Sequence, residues 1–308
     1  LATRWNMMRC FVGGMHIQFA YLRREADENG NEVFGVSKSQ WRAMRRSNLF
    51  TVRAGISRRT YWVLALTGLF TPLVLWAAVG LWGGIDPVFM PAPLQVLAKT
   101  WTWATELGLL EDMGISVYRV VAGFLLSAVI ALPLGLLIGS FRSVQALLEP
   151  LTDFIRYMPA VAFIPLVMLW VGIGEGSKIA IIFIGTFFQM VLMVAEDVRR
   201  VPAAQVEAAQ TMGANRLELI EKVIFQSAKP ALLDTLRITM GWAWTYLVVA
   251  ELVAANSGLG YAILRAQRFL QTDTIFAGII VIGLIGLVTD QLFRWGHRRA
   301  FPWLYLKG

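Results

Sequence analysis

Cysteine and histidine are almost absent from the sequence, and their scarcity excludes several kinds of site. Cys10 is the single cysteine, and His16 and His297 are the two histidines among 308 residues. A lone cysteine forms no disulfide within its own chain. Two histidines in separate polar segments do not build a metal cluster, because a zinc site takes three or four protein ligands. The sequence therefore indicates neither a disulfide scaffold nor a metalloenzyme.

Charged residues are also scarce, and they are unevenly placed. They make up 16% of the chain, whereas 57% of it is hydrophobic; a soluble domain is nearer to about 45–50% apolar. The apolar residues form runs long enough to cross a bilayer, so we expect a multi-pass membrane protein. The net charge of +8 does not indicate nucleic acid, because 11 of the 28 basic residues lie in residues 1–59. That placement is typical of a cytoplasmic segment beside a lipid membrane.

Six runs with few or no charges predict six membrane-spanning helices in residues 60–308. Residues 294–307 are basic like residues 1–59, so we expect both termini in the cytoplasm. Residues 39–56 mix aromatic side chains with arginines, which favours a helix lying in the membrane interface. The chain is thus predicted to divide into a basic cytoplasmic region, 1–59, and a membrane domain, 60–308. The predicted spans are 60–85, 120–141, 157–174, 179–195, 232–254 and 274–292.

Three further absences limit what this predicted membrane protein does. No predicted span has an acidic residue at its centre, whereas ion-driven transporters often hold such acids at the membrane midplane. The glycine-rich turn from Gly172 to Lys178 lacks the Gly-x4-Gly-Lys-Ser/Thr spacing of a nucleotide-binding loop. No Ser-His-Asp set or pair of carboxylates stands out either, which disfavours a membrane enzyme. If ATP drives this protein, it binds to another chain.

The polar segment 196–230 predicts a helix, a tight turn and a second short helix. Pro202 suits the first helical turn, because it has no amide hydrogen to leave unpaired there. Gly213 predicts the end of that helix, since glycine reaches the left-handed conformation without strain. Asn215 and Glu218 have the spacing of a capping box, which begins the second helix. The apolar stripe of the second helix is Leu217, Ile220, Val223 and Ile224.

The stretch Glu207-Ala-Ala-Gln-Thr-Met-Gly213 resembles the EAA loop of ABC-importer permeases, in which Glu-Ala-Ala, three residues and Gly lead into a second helix. The family pattern closes on a proline, where this chain has Gln226. From about residue 85 to residue 303 the chain resembles the nitrate, taurine and sulfonate branch of these permeases. The stretches that carry the resemblance are 90–93, 159–178, 207–213, 250–260 and 298–303.

This resemblance implies an all-α membrane protein with the architecture of type I importer permeases, the MetI kind. It implies a homodimer in the bacterial inner membrane, with two ATPase subunits inside and a solute-binding protein outside. ATP and Mg²⁺ would bind to the ATPase subunits, and this chain would bind no cofactor. The solute would be small and mostly anionic, such as taurine, an alkanesulfonate, nitrate or bicarbonate. A secondary transporter driven by an ion gradient is the alternative.

Two groups of residues are candidates for function. The resemblance assigns ATPase coupling to the loop, where Glu207 would pair with a basic residue of the ATPase. Ionisable residues within spans are pathway candidates, because burying them in lipid is costly. Arg119 or Arg237 would attract an anion, unless each is an interfacial or helix-end residue. The coupling candidates are Glu207, Ala208, Ala209, Gly213, Asn215 and Leu217. The pathway candidates are Arg119, Met158, Phe163, Arg237, Trp244 and Glu251.

Overall fold

The computed structural model describes residues 9–12, 15–18, 23–26, 32–35, 56–82 and 84–305. The chain divides into two compact units, Leu1–Val74 and Leu75–Gly308. The first unit contains two antiparallel hairpins that the sequence reasoning did not predict. Strand β1 (Arg9–Val12) pairs with β2 (Met15–Gln18), and β3 (Arg23–Ala26) pairs with β4 (Glu32–Gly35). In the sequence two glycines separate β1 from β2, a dipeptide that two-residue hairpin links favour. The predicted interfacial helix, 39–56, falls almost entirely outside the described residues.

Helices form nearly all the regular structure of residues 56–305. They are α1 (Arg58–Leu81), α2 (Pro93–Glu106), α3 (Leu109–Ser140), α4 (Arg142–Arg156), α5 (Ile164–Val171), α6 (Glu175–Arg199), α7 (Ala203–Thr211), α8 (Arg216–Glu218), α9 (Phe225–Ala254), α10 (Leu259–Arg268) and α11 (Thr272–Ala300). A π-helical segment, Leu219–Ile224, joins α8 to α9, and 3₁₀ turns lie at Ala160–Phe163 and Pro302–Leu304. The membrane part is all-α, as the resemblance implied.

Among the described residues, four helices are long and apolar enough to cross a membrane: α1, α3, α6 and α11. A bent pair, formed by α4 and Ala160–Val171, brings the count to five if it is one span. The sequence predicted six. The remaining predicted span lies within α9, whose 30 residues measure roughly 45 Å at about 1.5 Å per residue. Charged residues lie along its length, among them Lys229, Asp234 and Arg237, and no stretch of it is apolar enough to count with the other four.

The predicted span 157–174 is shorter than expected, because the chain bends by 88° between Arg156 and Ala160 and the helical part that follows ends at Val171. Helix α4 ends at Arg156, and α5 has only 8 residues. A helix of that length covers about 12 Å, well short of the hydrocarbon core of about 30 Å. Pro159 precedes the 3₁₀ turn and Pro165 lies in the first turn of α5. Each proline lacks an amide hydrogen, so each begins a new helical segment rather than continuing an old one.

Helices α3, α6 and α9 form the main core of the second unit. At Gly135 and Gly139 of α3, an added Cβ atom would lie 2.6 Å from the side chains of Val194 and Val198 of α6, respectively. The two glycines are four residues apart and share one face, the small-xxx-small pattern that lets membrane helices approach closely. This close packing fixes α3 against α6 along its length. The two regions that matter for function lie at opposite ends of α9.

Candidate functional site

The turn after α7 ends the first loop helix at the glycine that the sequence indicated. Gly213 has a φ of 86°. The N–H of Ala214 donates to the Ala209 carbonyl at 3.0 Å, and the N–H of Gly213 donates to the Gln210 carbonyl at 2.9 Å. These two bonds form a Schellman motif, which satisfies carbonyls that a helix end otherwise leaves without donors. The prediction of a positive φ at Gly213 is confirmed.

The capping box that begins α8 is also present. The N–H of Glu218 donates to Asn215 Oδ1 at 3.0 Å, and the N–H of Asn215 donates to Glu218 Oε2 at 3.1 Å. Lys222 Nζ donates to Glu218 Oε1 at 2.9 Å. That hydrogen bond, followed by the one from the Asn215 backbone, lowers the pKa of the Glu218 carboxyl below its ordinary value. The reciprocal bonds fix the first turn of α8 to the turn that precedes it.

The second loop helix is not a separate short helix, which corrects the prediction. It passes through the π-helical segment Leu219–Ile224 straight into α9. Gln226 stands where the family pattern has a proline, so no proline interrupts the helix at that point. The π turn also shifts which positions face inward: Leu219 is buried, whereas Leu217 is 76% exposed. Leu217 therefore does not belong to an inward stripe.

The loop presents a small surface that is suited to docking a protein. Glu207 and Ala208 are exposed, while Ala209 is buried against the rest of the chain. Met212 is 82% exposed, and Leu217, on the other side of the turn, is 76% exposed. The loop therefore leaves one carboxylate and two apolar side chains uncovered by the described residues. Sequence reasoning missed Met212, although it lies within the motif.

Arg119 of α3 lies at the centre of a buried charge network. Its Nη1 is 2.5 Å from Glu251 Oε1, and its Nε and Nη2 lie 2.5 and 2.7 Å from the two carboxylate oxygens of Glu175. Nη1 also donates to the Ser257 carbonyl at 2.8 Å, and Nη2 donates to Ser257 Oγ at 3.3 Å. These five bonds use all five N–H donors of a guanidinium group. Arg119 therefore has no donor left with which to attract a solute anion.

The two carboxylates of the network also have hydrogen-bond and ion-pair partners within the chain. The fully buried carboxylate of Glu251 accepts a hydrogen bond from Ser116 Oγ at 2.8 Å and one from the Gly260 N–H at 2.7 Å. Glu175, which is half-exposed, pairs with Lys178 Nζ at 2.7 Å. Two cations thus face two carboxylates, and a buried charge is tolerated only when it is paired in this way. Arg119 and Glu251 form an ion pair, but only Glu251 is near a helix end, because Arg119 lies well inside α3.

Two other pathway candidates also have partners within the chain. Arg237 Nε lies 2.7 Å from Asp290 Oδ1, and its Nη1 lies 3.4 Å from Asp234 Oδ1. Trp244 is 5% exposed in the core, and its Nε1 donates to Thr289 Oγ1 at 3.3 Å. A pathway role for Arg237 or Trp244 would require these contacts to break.

Met158 is the pathway candidate that lines a cavity. The cavity has a volume of about 220 Å³, and its walls include Arg156, Met158, Gln189, Trp242 and Tyr246. A cation, an amide and a phenol beside an indole are the kind of lining that holds a small polar solute. Phe163 instead packs against the cluster around Ile164 and Val167. In the described part of the chain, no group of three or more His, Cys, Asp and Glu side chains is placed to hold a metal ion.

Sequence reasoning missed Glu175 and Lys178 as members of the charge network, and Gln189 as a cavity residue. Glu175 and Lys178 stand in the glycine turn, which was considered only as a nucleotide loop. A signal was present, because an acid and a base three residues apart at the start of a predicted span suggest a paired site. Arg119, the partner of Glu175, is 56 residues from it in the sequence, so spacing alone did not bring these two residues together.

Residues 131–301 match the family described as the binding-protein-dependent transport system inner membrane component. The chain is 34% identical over 260 residues to the taurine transport system permease protein TauC of Escherichia coli K12, covering 80% of this chain and 94% of TauC. It is 26% identical over 287 residues to the bicarbonate transport system permease protein CmpB of Synechococcus elongatus, covering 89% of this chain and 96% of CmpB. An inward-facing structure of the MetNI methionine ABC transporter matches with a TM-score of 0.52 at 22% identity, covering 62% of this chain and 97% of that one. This last similarity concerns the fold alone.

Proposed function

The chain belongs to the family of binding-protein-dependent transport system inner membrane components, and we propose that it forms the membrane pathway of an ATP-driven importer for a small anion. It is an ABC transporter permease, a transport subunit without an ATPase site of its own. The observation that carries the proposal is the similarity to TauC along 94% of that protein's length. The proposed importer consists of two copies of this chain, two ATPase subunits and an external solute-binding protein. ATP and Mg²⁺ bind to the ATPase subunits.

The names of the relatives support an anionic solute. TauC is named for taurine and CmpB for bicarbonate, and both compounds carry a negatively charged oxygen group. The cavity beside Met158 offers hydrogen-bond donors to such a group from Arg156, Gln189 and Tyr246. Arg156 also pairs with Asp153 at 3.0 Å, and this pair is partly exposed, so the guanidinium reorients at low cost. Taurine, ethanesulfonate, bicarbonate and nitrate are the solutes to compare first in uptake assays.

The loop of α7 and α8 supports docking on the ATPase subunits. Glu207 is exposed and lies on the same short helix as two alanines, which leave room for a neighbouring surface. A carboxylate that becomes partly desolvated against an arginine contributes through a directional contact. Truncating one partner of such a contact costs on the order of 2–5 kcal/mol, whereas a solvated glutamate contributes almost nothing. In this proposal Glu207 serves assembly and coupling, and it does not bind the solute.

The test compares Glu207→Ala with Glu221→Ala, a matched control that removes an exposed carboxylate from the nearby π-helical segment. The permease is purified with its ATPase subunits and reconstituted in proteoliposomes with the binding protein. We expect Glu207→Ala to lose ATPase co-elution or to separate ATP hydrolysis from taurine uptake, and Glu221→Ala to behave like the wild type. Wild-type behaviour of both variants would contradict docking through Glu207. Uptake that needs an ion gradient and no ATP would favour the secondary transporter instead.

The proposed orientation places both termini and the loop of α7 and α8 in the cytoplasm. The basic residues at both ends of the sequence support it. Thr105→Cys and Asn215→Cys test it in a Cys10→Ser background, since both positions are exposed. We expect an impermeant maleimide to label position 105 in intact cells and to label position 215 only after lysis. The reverse pattern would overturn the orientation, and the docking proposal with it.

A further inference from the structure

Helix α9 connects the docking loop to the charge network without a break. Near its start, Ser227 Oγ donates to Gln205 Oε1 of α7 at 2.7 Å. Near its end, Glu251 accepts the hydrogen bond from Arg119. Twenty-four residues separate Ser227 from Glu251, which is roughly 36 Å along a helix. Pro230 lies inside this helix without ending it, so the loop and the network are joined by one continuous helix.

The network holds the segment that follows α9 as firmly as it holds the helix. Arg119 bonds both the carbonyl and the hydroxyl of Ser257. Asp112 Oδ1 accepts from the N–H of Gly258 at 2.9 Å, and Ser116 Oγ accepts from the N–H of Leu259 at 2.9 Å. Arg119, Asp112 and Ser116 all belong to α3. Ser257, Gly258 and Leu259 are thus held by side chains of one neighbouring helix.

Gly258 shows how little freedom this segment has. Its φ is 107° and its ψ is 168°, a region that is essentially restricted to glycine. An added Cβ atom there would collide with Glu251 and with Arg119 Nη1. The surrounding groups therefore determine a single backbone path, and any movement of Glu251 or Arg119 must displace the segment.

We propose that Arg119 is a positioning residue, which makes the end of α9 and segment 255–258 respond as one body to nucleotide bound at the partner ATPase. The proposal rests on the proposed function, because it takes the loop of α7 and α8 as the ATPase contact. Arg119 touches three separate parts of the chain: α6 through Glu175, α9 through Glu251, and segment 255–258 through Ser257. A merely stabilising ion pair would hold two elements and would leave the segment free.

The experiment follows the exposure of segment 255–258 with a single cysteine. Asn256, which is exposed, is replaced by cysteine in a Cys10→Ser background, in the complete complex in proteoliposomes. The rate of labelling by a maleimide is measured without nucleotide and with ATP and vanadate. With Arg119 in place we expect the two rates to differ by at least about fivefold, the lower range of allosteric coupling.

Two variants separate positioning from stability. Arg119→Lys keeps the charge balance, but three donors on one nitrogen do not reach Glu175, Glu251 and Ser257 together. Arg119→Met combined with Glu251→Gln removes one charge of each sign and leaves Lys178 with Glu175. In both we expect the ratio of labelling rates to fall below about twofold. Exposed Arg268, changed to Gln, is the matched control and should keep the full response. The double variant replaces Arg119→Lys if that variant does not fold.

Four results are distinguished. Loss of the response in the network variants, with a full response in Arg268→Gln, supports the proposal. A full response in the network variants overturns the proposal. It is also overturned if the labelling rate does not change in the protein that keeps Arg119, although its complex has trapped nucleotide. If no ATPase co-elutes with the unaltered permease, the proposed function itself fails. Measuring trapped nucleotide in every sample keeps these two failures apart.

Discussion

The turn at Gly213 and the network at Arg119 are both held by hydrogen bonds, but they are built in opposite ways. Every bond of the turn and its capping box joins residues three to five positions apart, and most of the participating side chains are exposed. The bonds of Arg119 join residues 56, 132 and 138 positions apart, and its side chain is fully buried. The turn is therefore specified locally and tolerates single losses, whereas the network depends on the whole fold and fails as a unit.

The largest effect is expected for Arg119→Met, which breaks the network at its centre. It leaves the buried carboxylate of Glu251 without its cation, and removing one partner of a buried pair costs about 3–5 kcal/mol. Thermal unfolding of the purified permease in detergent measures the loss, with Arg268→Met as an exposed control of the same chemistry. Equal stability of the two variants would show that Glu251 is not charged in the folded protein.

Alanine at Gly258 and alanine at Gly213 form a matched pair that compares the two regions directly. Both positions have positive φ, so both variants carry backbone strain of about 1–3 kcal/mol. Only Gly258 lacks space for a Cβ atom, because nothing lies within 4 Å of the Cβ position at Gly213. We expect Gly258→Ala to be less stable than Gly213→Ala by about a further 1–3 kcal/mol, the cost of overpacking. We test this difference in stability by measuring the unfolding midpoints of the two variants side by side. Equal midpoints would show that the network relaxes around the methyl group.

A more disruptive change at the turn should affect coupling rather than folding. Gly213→Val places a β-branched residue at positive φ, where it is strongly disfavoured, and the local cost is about 1–3 kcal/mol. The turn is exposed, so we expect normal membrane insertion together with loss of ATP-dependent uptake. Expression level and uptake are measured on the same preparations. Normal uptake in this variant would remove the turn from the coupling pathway.

The smallest effect is expected for Asn215→Ala, which removes the side-chain cap of α8. Losing such a cap costs about 0.5–2 kcal/mol, and the Glu218 N–H loses its acceptor. Hydrogen exchange at that amide should become faster, while exchange within α9 should stay unchanged because α9 is packed in the core. Asn215→Asp, which keeps an acceptor oxygen, serves as the control. Faster exchange throughout α9 would show that the cap supports the whole helix.

The same contrast explains how much of the molecule could be predicted from the sequence. Gly213, Asn215 and Glu218 were placed correctly, because each acts on neighbours a few residues away through well-known local rules. The long apolar segments were recognised for the same reason, since hydropathy is a property of a local stretch. The bend after Arg156 was not predicted, because apolar composition alone does not show where a span breaks. Pro159 and Pro165 mark the region in the sequence.

The network could be predicted only in part. Arg119 and Glu251 were identified as costly residues within or near spans, which is a local inference. Their mutual pairing, and the addition of Glu175 and Lys178, depends on how α3, α6 and α9 pack, and a single sequence does not encode that in any spacing. Trp244 was placed in the pathway group because its aromatic side chain stood out, yet Trp242 and Tyr246 line the cavity. Positions 242 and 246 are four apart and therefore share a helix face, but spacing alone does not show which face is open.

The π-helical segment before α9 sets the direction in which the loop points. A π turn holds about one residue more than an α turn. Closing all six residues of Leu219–Ile224 as an α-helix, with none removed, would add the rotation of about one residue, and everything before the segment would turn by about 100° around the axis of α9. Glu207 and Met212 would then face a different side of the molecule, although every hydrogen bond of their turn was kept. The direction of this surface is thus set by the type of helical turn in Leu219–Ile224, so its angle changes in a step and not continuously.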